Sequence, residues 1–122
     1  MERLFMMAGA ISGAIGVGAG AFGAHALREK LEPRMLEVFE TGARYQMYHA
    51  IALLLVGWAA SRWPGSLTTA TGWLFIAGTV FFSGSLYAMA LTNVRVLGAI
   101  TPIGGVCFIA GWLCLAVAAM RS

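Results

Sequence analysis

Apolar positions run through this chain in long blocks that charged residues interrupt at only a few places. No charged residue lies at 4–27, 45–61, 63–94 or 96–120. An α-helix rises about 1.5 Å per residue, so about 20 apolar residues cross the hydrocarbon core of a bilayer. The pattern therefore predicts an all-α membrane protein, a bundle of four transmembrane helices at about 4–27, 45–61, 67–91 and 97–120.

The one long connection, residues 28–44, has a different pattern. Pro33 suits the first turn of a helix, and polar residues recur after it at three- and four-residue spacing. Met35, Val38 and Phe39 fall mostly on the other side. Such an amphipathic pattern predicts a separate interfacial helix at about 33–43 that lies flat on the membrane surface between helices 1 and 2. Docking of a protein partner is the alternative interpretation of this segment.

The composition fits a single membrane domain over residues 1–122. The chain is 60% hydrophobic and carries 8 basic and 5 acidic residues. The basic residues lie at the ends of the predicted helices, where they anchor a span at the interface, and they form no basic face. The expected partner is therefore the lipid bilayer and not a nucleic acid. Cys107 and Cys114 lie about 10 Å apart along one helix, too far for a disulfide, and are interpreted as small buried residues.

Glycines recur at spacings that place them along one side of a helix. In lipid, small residues at such positions let two helix backbones approach closely, and this packing is a main driving force for association. Two interpretations stay open: tight packing inside one bundle, or a subunit interface in a homo-oligomer. The candidate packing residues are Gly9, Gly13, Gly16, Gly20 and Gly23 in the first helix and Gly104 and Gly111 in the fourth.

Polar residues cluster toward one side of the membrane if the four spans are antiparallel. We expect them to form a polar cup open to that face. Inside a membrane such groups either bridge helices by hydrogen bonds or mark a binding site. A metal or proton shared by His25 and His49 lacks a nearby carboxylate or thiolate, so no metal or cofactor is expected. The candidate residues are His25, Arg44, Tyr45, Gln46, His49, Ser83, Ser85, Tyr87 and Thr101.

The chain lacks residues that several classes of membrane protein require. No Asp, Glu, Lys or Arg lies within the core of a predicted span, although proton- or ion-coupled carriers usually need such a group there. Small multidrug carriers, which have this size, rely on a carboxylate in the first helix, where this chain has none. No nucleophile–base pair and no paired carboxylates are present, so we expect a protein that is not an enzyme.

Five short motifs give the chain a resemblance to a known family. It closely resembles the bacterial domain-of-unknown-function family 423, similar to eukaryotic transmembrane protein 256, over nearly its whole length. The resemblance implies a small four-helix protein of the bacterial inner membrane, and it implies no activity. The motifs are residues 21–26 (AFGAHA), 41–50 (TGARYQMYHA), 82–87 (FSGSLY), 101–105 (TPIGG) and 108–112 (FIAGW).

Two functional interpretations follow. The first is a non-enzymatic helix bundle that supports or assembles other membrane components, with a homo-oligomer as one form. The second is a small channel or carrier that passes a neutral or weakly basic solute through the polar cup.

The orientation in the membrane depends on signals that conflict. Five Lys or Arg residues lie on the side of the 28–44 connection and three on the side of the termini, which by the positive-inside rule puts the termini outside. Four acidic residues interleave the first set, and similar proteins often carry further basic residues on the side of the termini. We therefore expect cytoplasmic termini.

Overall fold

Helices make up almost the whole chain, and no strand is present. The computed structural model describes residues 1–122 and contains five α-helices, α1 (Glu2–His25), α2 (Pro33–Arg62), α3 (Ser66–Gly78), α4 (Gly84–Thr92) and α5 (Thr101–Met120). A π-helical turn, Thr79–Ser83, joins α3 to α4, and a 3₁₀ turn, Arg95–Ala99, leads into α5. Because α3, the π-helical turn and α4 follow one another without a gap, the molecule has four helical rods, the number that the sequence predicts.

Residues 33–43, predicted as a separate helix, form the first part of the continuous helix α2. Proline, which would interrupt the chain of backbone hydrogen bonds, occurs at Pro33 and Pro64 but nowhere between them. The apolar side of this segment is covered by the protein itself. Phe39 is buried in a cluster with Leu27 and Ala90, and a separate helix lying on lipid is not needed to shield it.

Three of the four rods are long and apolar enough to cross a membrane: Glu2–His25, Ser66–Thr92 and Arg95–Met120. The remaining rod, α2, is less apolar, because its charge-free part contains Gln46, His49 and two tyrosines. Its position explains this composition. It packs against α1, α3, the π-helical turn and α4, so Gln46 and His49 face other helices. On its far side α3 packs against α5, and Phe5, Leu53, Val56, Phe75 and Phe108 fill the core between the helices.

The glycines of α1 divide into two groups. Gly9, Gly16 and Gly23 are buried against α2. A methyl group added at these three would lie 2.7 Å from the Ala50 carbonyl oxygen, 2.7 Å from the Met47 sulfur and 2.9 Å from the Phe39 ring, respectively. Gly13 is at ordinary contact distance from Ala50, and Gly20 faces open space. The contact with α2 therefore follows the seven-residue repeat of three glycines, and Gly20 takes no part in it.

Among the glycines of α5, Gly104 makes the closest approach to a neighbouring backbone in the molecule. A methyl group at Gly104 would lie 2.3 Å from the backbone nitrogen of Phe82, inside the π-helical turn, and one at Gly111 would lie 2.6 Å from the Phe75 ring. Both distances are far below van der Waals contact. The α5 backbone can therefore lie against the rod formed by α3, the π-helical turn and α4 only because these positions have no side chain.

Two turns depend on residues that tolerate positive φ. Gly65, between α2 and α3, has a φ of 142°, which L side chains rarely adopt, and Asn93 ends α4 in the left-handed conformation with a φ of 60°. The first turn sets where α3 begins, beside the end of α2.

Neighbouring glycines of α5 provide a matched test of the close approach. Gly104→Ala places its methyl group against the Phe82 backbone, which cannot move without separating the helices, so we expect a loss of about 1–3 kcal/mol in the free energy of unfolding. Gly105→Ala meets its nearest atom at 4.0 Å, and alanine favours a helix by up to about 1 kcal/mol over glycine. Unfolding by SDS in mixed micelles, followed by circular dichroism, measures both. Equal stabilities of the two variants would contradict the packing described.

Candidate functional site

Gln46 joins three helices through its amide group. Its Nε2 atom, on α2, donates to the Ser12 carbonyl oxygen of α1 at 3.0 Å and to the Ser12 hydroxyl at 3.2 Å. Its Oε1 atom accepts a hydrogen bond from the Tyr87 hydroxyl of α4. The side chain is only 4% exposed. Because both ends of the amide have partners, Gln46 holds α1, α2 and α4 together where bulk water does not compete for its hydrogen bonds.

His49, one turn further along α2, has both ring nitrogens engaged. Its Nδ1 atom lies 2.8 Å from the Tyr45 carbonyl oxygen, and the indole Nε1 of Trp112 on α5 donates to His49 Nε2 at 3.1 Å. A carbonyl oxygen only accepts and an indole N–H only donates, so the ring is the neutral tautomer with its proton on Nδ1. This arrangement leaves His49 no free nitrogen lone pair with which to bind a metal ion or a ligand.

Three aromatic rings contact the His49 imidazole, one stacked on a face and two in edge arrangements. The Phe108 ring is stacked on it with centroids 3.5 Å apart and planes 6° apart. Phe75 approaches edge-on at 5.2 Å and Trp112 at 5.9 Å. These three rings come from α3 and α5, so His49 is the point at which α2 contacts both helices. The side chain is 4% exposed.

Two serines of the third rod, which is formed by α3, the π-helical turn and α4, also make hydrogen bonds to other helices. Ser83, the last residue of the π-helical turn, donates from Oγ to the Gly42 carbonyl oxygen of α2 at 2.7 Å in a buried position. Ser85 donates to the Phe82 carbonyl oxygen at 2.9 Å and lies 2.6 Å from the Thr101 hydroxyl of α5. Because the single Ser85 proton goes to Phe82, Thr101 is the donor in the second bond. The rod is thus bonded to α2 on one side and to α5 on the other.

The structure brings the side chains of six of the nine predicted residues into these inter-helix hydrogen bonds and leaves three outside. His25 is exposed at the end of α1, Arg44 is exposed on α2, and the Tyr45 side chain is 36% exposed against the Phe82 ring. Tyr45 contributes only its backbone carbonyl. The residues inside are Gln46, His49, Ser83, Ser85, Tyr87 and Thr101.

Six of the residues predicted to line an open cup form hydrogen bonds between helices in the structure. Every buried side-chain nitrogen and oxygen has a hydrogen-bond partner within the protein. Surface grooves of the molecule lie around Arg62–Thr68, around Trp58 and Trp112, and around Gly16 and Arg44. The six hydrogen-bonded residues therefore hold helices together and line none of these grooves, whereas Arg44 lines the third.

Ser12 and Trp112, the hydrogen-bond partners of Gln46 and His49, were not predicted from the sequence. Ser12 is the one hydroxyl within α1, and Trp112 is the one tryptophan within α5. A polar side chain inside a membrane helix needs a partner on another helix, so each was a candidate on that ground. Nothing in the linear order of residues, however, indicates which partner each one takes.

Comparisons with known proteins find relatives over almost the whole chain. The family described as "Protein of unknown function (DUF423)" matches residues 19–105. The UPF0382 membrane protein YwdK of Bacillus subtilis is 49% identical over 121 residues, which cover 98% of each chain. A UPF0382 membrane protein of Staphylococcus epidermidis is 49% identical and one of Staphylococcus saprophyticus 47% identical, each over 119 residues, covering 98% of this chain and 97% and 98% of theirs. No solved structure matches.

Removing one hydroxyl tests the contribution of the Gln46 network. Tyr87→Phe keeps the ring and its packing on Phe39 but leaves Gln46 Oε1 without its partner, so we expect the free energy of unfolding to fall by about 1 kcal/mol. Tyr48→Phe is the control, because Tyr48 is 52% exposed. Unfolding in SDS mixed micelles measures both. A Tyr87→Phe variant as stable as the control would contradict the role assigned to this bond.

Proposed function

This chain belongs to the DUF423 family of membrane proteins, and we propose that it is a non-enzymatic structural helix bundle of the bacterial inner membrane that supports the assembly of other membrane components. The proposal includes a multi-pass arrangement in which all four helical rods cross the bilayer with the termini in the cytoplasm. The observation that carries the proposal is the complete use of the His49 ring nitrogens inside the bundle.

Binding of a solute at the polar residues would require bonds between helices to break first. Gln46 would have to release Ser12 or Tyr87, and His49 would have to release Trp112. Each such bond contributes about 0.6 kcal/mol and up to about 2 kcal/mol in a membrane protein. Because the same bonds connect four rods, a solute would compete with the fold for every polar group. This supports a structural role for the polar residues over a channel or carrier.

Thiol labelling separates the structural role from the channel. Ser83→Cys keeps nearly the same side-chain volume and is placed in a Cys107→Ala, Cys114→Ala background, and Ser66→Cys is the control. Ser83 is 1% exposed and Ser66 is exposed at the start of α3. We expect a membrane-impermeant maleimide to modify position 66 rapidly and position 83 not at all in detergent-solubilised protein, where both faces are accessible.

Labelling of position 83 at a rate close to that of position 66 would overturn the structural proposal. Such a result would mean that a water-filled route reaches the inter-helix contacts, which is what the channel or carrier requires. Circular dichroism of the variant before labelling establishes that its helices are intact.

We also propose that the bundle associates with copies of itself in the membrane. Only one side of α1 is covered by α2, and on its outer side Ala10, Ala14 and Gly18 are exposed at four-residue intervals. A methyl group at Gly18 would meet nothing within 4 Å in the single chain. Small residues at this spacing are what closely packed membrane helices present to each other.

Gly18→Leu tests this association with Gly20→Leu as its control. Both glycines face open space, so neither variant should disturb the fold of the single chain. We expect light scattering of the protein–detergent complex to give a mass of more than one chain for the original protein and for Gly20→Leu, and a lower mass for Gly18→Leu. A monomer in all three cases would rule out the homo-oligomer while leaving the structural role of the polar contacts intact.

A further inference from the structure

Two joined depressions lie where α2 ends, α3 begins and α5 ends. The first, of about 560 Å³, has a polar wall that includes Arg62, Ser66, Thr68 and Arg121. The second, of about 360 Å³, runs between α2 and α5, and all eight of its lining residues are hydrophobic, among them Trp58, Trp63 and Trp112. Trp63 lines both. The pair therefore forms one surface with a polar end and an apolar end.

The polar end attracts negative charge. Two of its ten lining residues are arginines and none is Asp or Glu. Arg62 lies over the Trp58 ring, with its guanidinium carbon 5.5 Å from the ring centroid, so the charge is held at the entrance of the apolar groove. The first backbone N–H groups of α3 have no partner within the helix and add a partial positive charge beside the arginines.

The apolar end has the size and lining for a hydrocarbon chain. It extends from Trp63 along α2 and α5 past Leu55 and Leu115. Tryptophan and arginine at the ends of membrane helices lie at the level of the lipid headgroups. A groove that begins at this level and continues along two helices follows the direction of an acyl chain.

We propose that this surface binds one phospholipid with an anionic headgroup. The phosphate contacts Arg62, Arg121 and the start of α3, and one acyl chain occupies the groove beside Trp58 and Trp112. A soluble phosphate would use only the polar end and leave the contiguous apolar groove without an occupant. Basic pockets between membrane helices recognise anionic lipids in this way. This proposal does not rest on the structural role proposed above, since none of the inter-helix hydrogen bonds needs to break.

Native mass spectrometry of the full-length protein tests the preference for an anionic headgroup. Delipidated protein in a gentle detergent is titrated with phosphatidylglycerol or with phosphatidylcholine of identical acyl chains. We expect one phosphatidylglycerol per chain to bind more tightly than phosphatidylcholine. For Arg62→Gln with Arg121→Gln we expect about a tenfold loss of phosphatidylglycerol affinity and little change for phosphatidylcholine.

Two further variants make the result specific to this surface. Arg28→Gln with Arg95→Gln removes the same charge from the opposite end of the molecule and should keep the preference. Ala116→Trp fills the apolar groove from an exposed position, so it should weaken the binding of both lipids. All of the substituted side chains are exposed, so the helices should be unaffected, and circular dichroism checks this.

Contrary results would contradict either the headgroup site or the acyl-chain groove. Equal affinity for the two lipids in the original protein, or an unchanged preference after both Arg62 and Arg121 are replaced, would overturn the headgroup site. Unchanged binding in Ala116→Trp, or displacement of phosphatidylglycerol by an equal concentration of inorganic phosphate, would overturn the acyl-chain groove.

Discussion

Gln46 can lie inside this bundle only because Ser12 and Tyr87 bind the two ends of its amide. An unpaired amide within a bilayer costs several kcal/mol, so its partners have to be supplied by other helices. This constraint makes α2 the central rod: a helix with Gln46 and His49 near its middle cannot face lipid on those sides. The arrangement of α1, the third rod and α5 around α2 supplies the required partners.

The hydrogen bonds between helices depend in turn on close contact between backbones. Ser83 reaches the Gly42 carbonyl oxygen at 2.7 Å because Gly42 has no side chain, and a methyl group there would lie 3.0 Å from the Tyr87 ring. Gly9 has the same role where α1 crosses α2, since it lies against the Ala50 carbonyl oxygen. Glycine weakens an isolated helix, but at these positions it allows both the packing and the polar bonds that compensate for it.

Much of this architecture follows from the charge-free blocks of the sequence, because block length alone limits the number of helices that can cross a membrane. The continuity of α2 was not predicted. The amphipathic pattern after Pro33 is equally consistent with a helix lying on lipid and with one whose apolar side is covered by Leu27 and Ala90. Periodicity records which side of a helix is apolar, but not whether lipid or protein covers it.

The charge-free blocks also made the polar residues visible in the sequence. The arrangement predicted for them was an open cup, whereas in the structure they form hydrogen bonds between helices. Gln46, His49, Ser83 and Tyr87 are conspicuous in apolar blocks, so the sequence marks them as special. Whether such groups line water or bond to one another depends on distances of a few tenths of an ångström. The stacking of Phe108 on His49, at 3.5 Å, leaves no space between the rings for a solute. That contact requires α5 to approach the third rod as closely as Gly104 permits, and no local pattern encodes this distance.

Because of the π-helical turn, the side-chain directions in the third rod could not be predicted from the sequence. A π-helical turn inserts an extra residue into a helix, and one residue corresponds to about 100° of rotation about the axis. The turn at Thr79–Ser83 therefore sets the direction of every side chain after it, including Ser85 and Tyr87. With that rotation Ser85 meets Thr101 of α5 while Tyr87 meets Gln46 of α2. A regular helix would direct these residues elsewhere, so the third rod reaches both neighbours because its regularity is interrupted where Gly104 packs against Phe82.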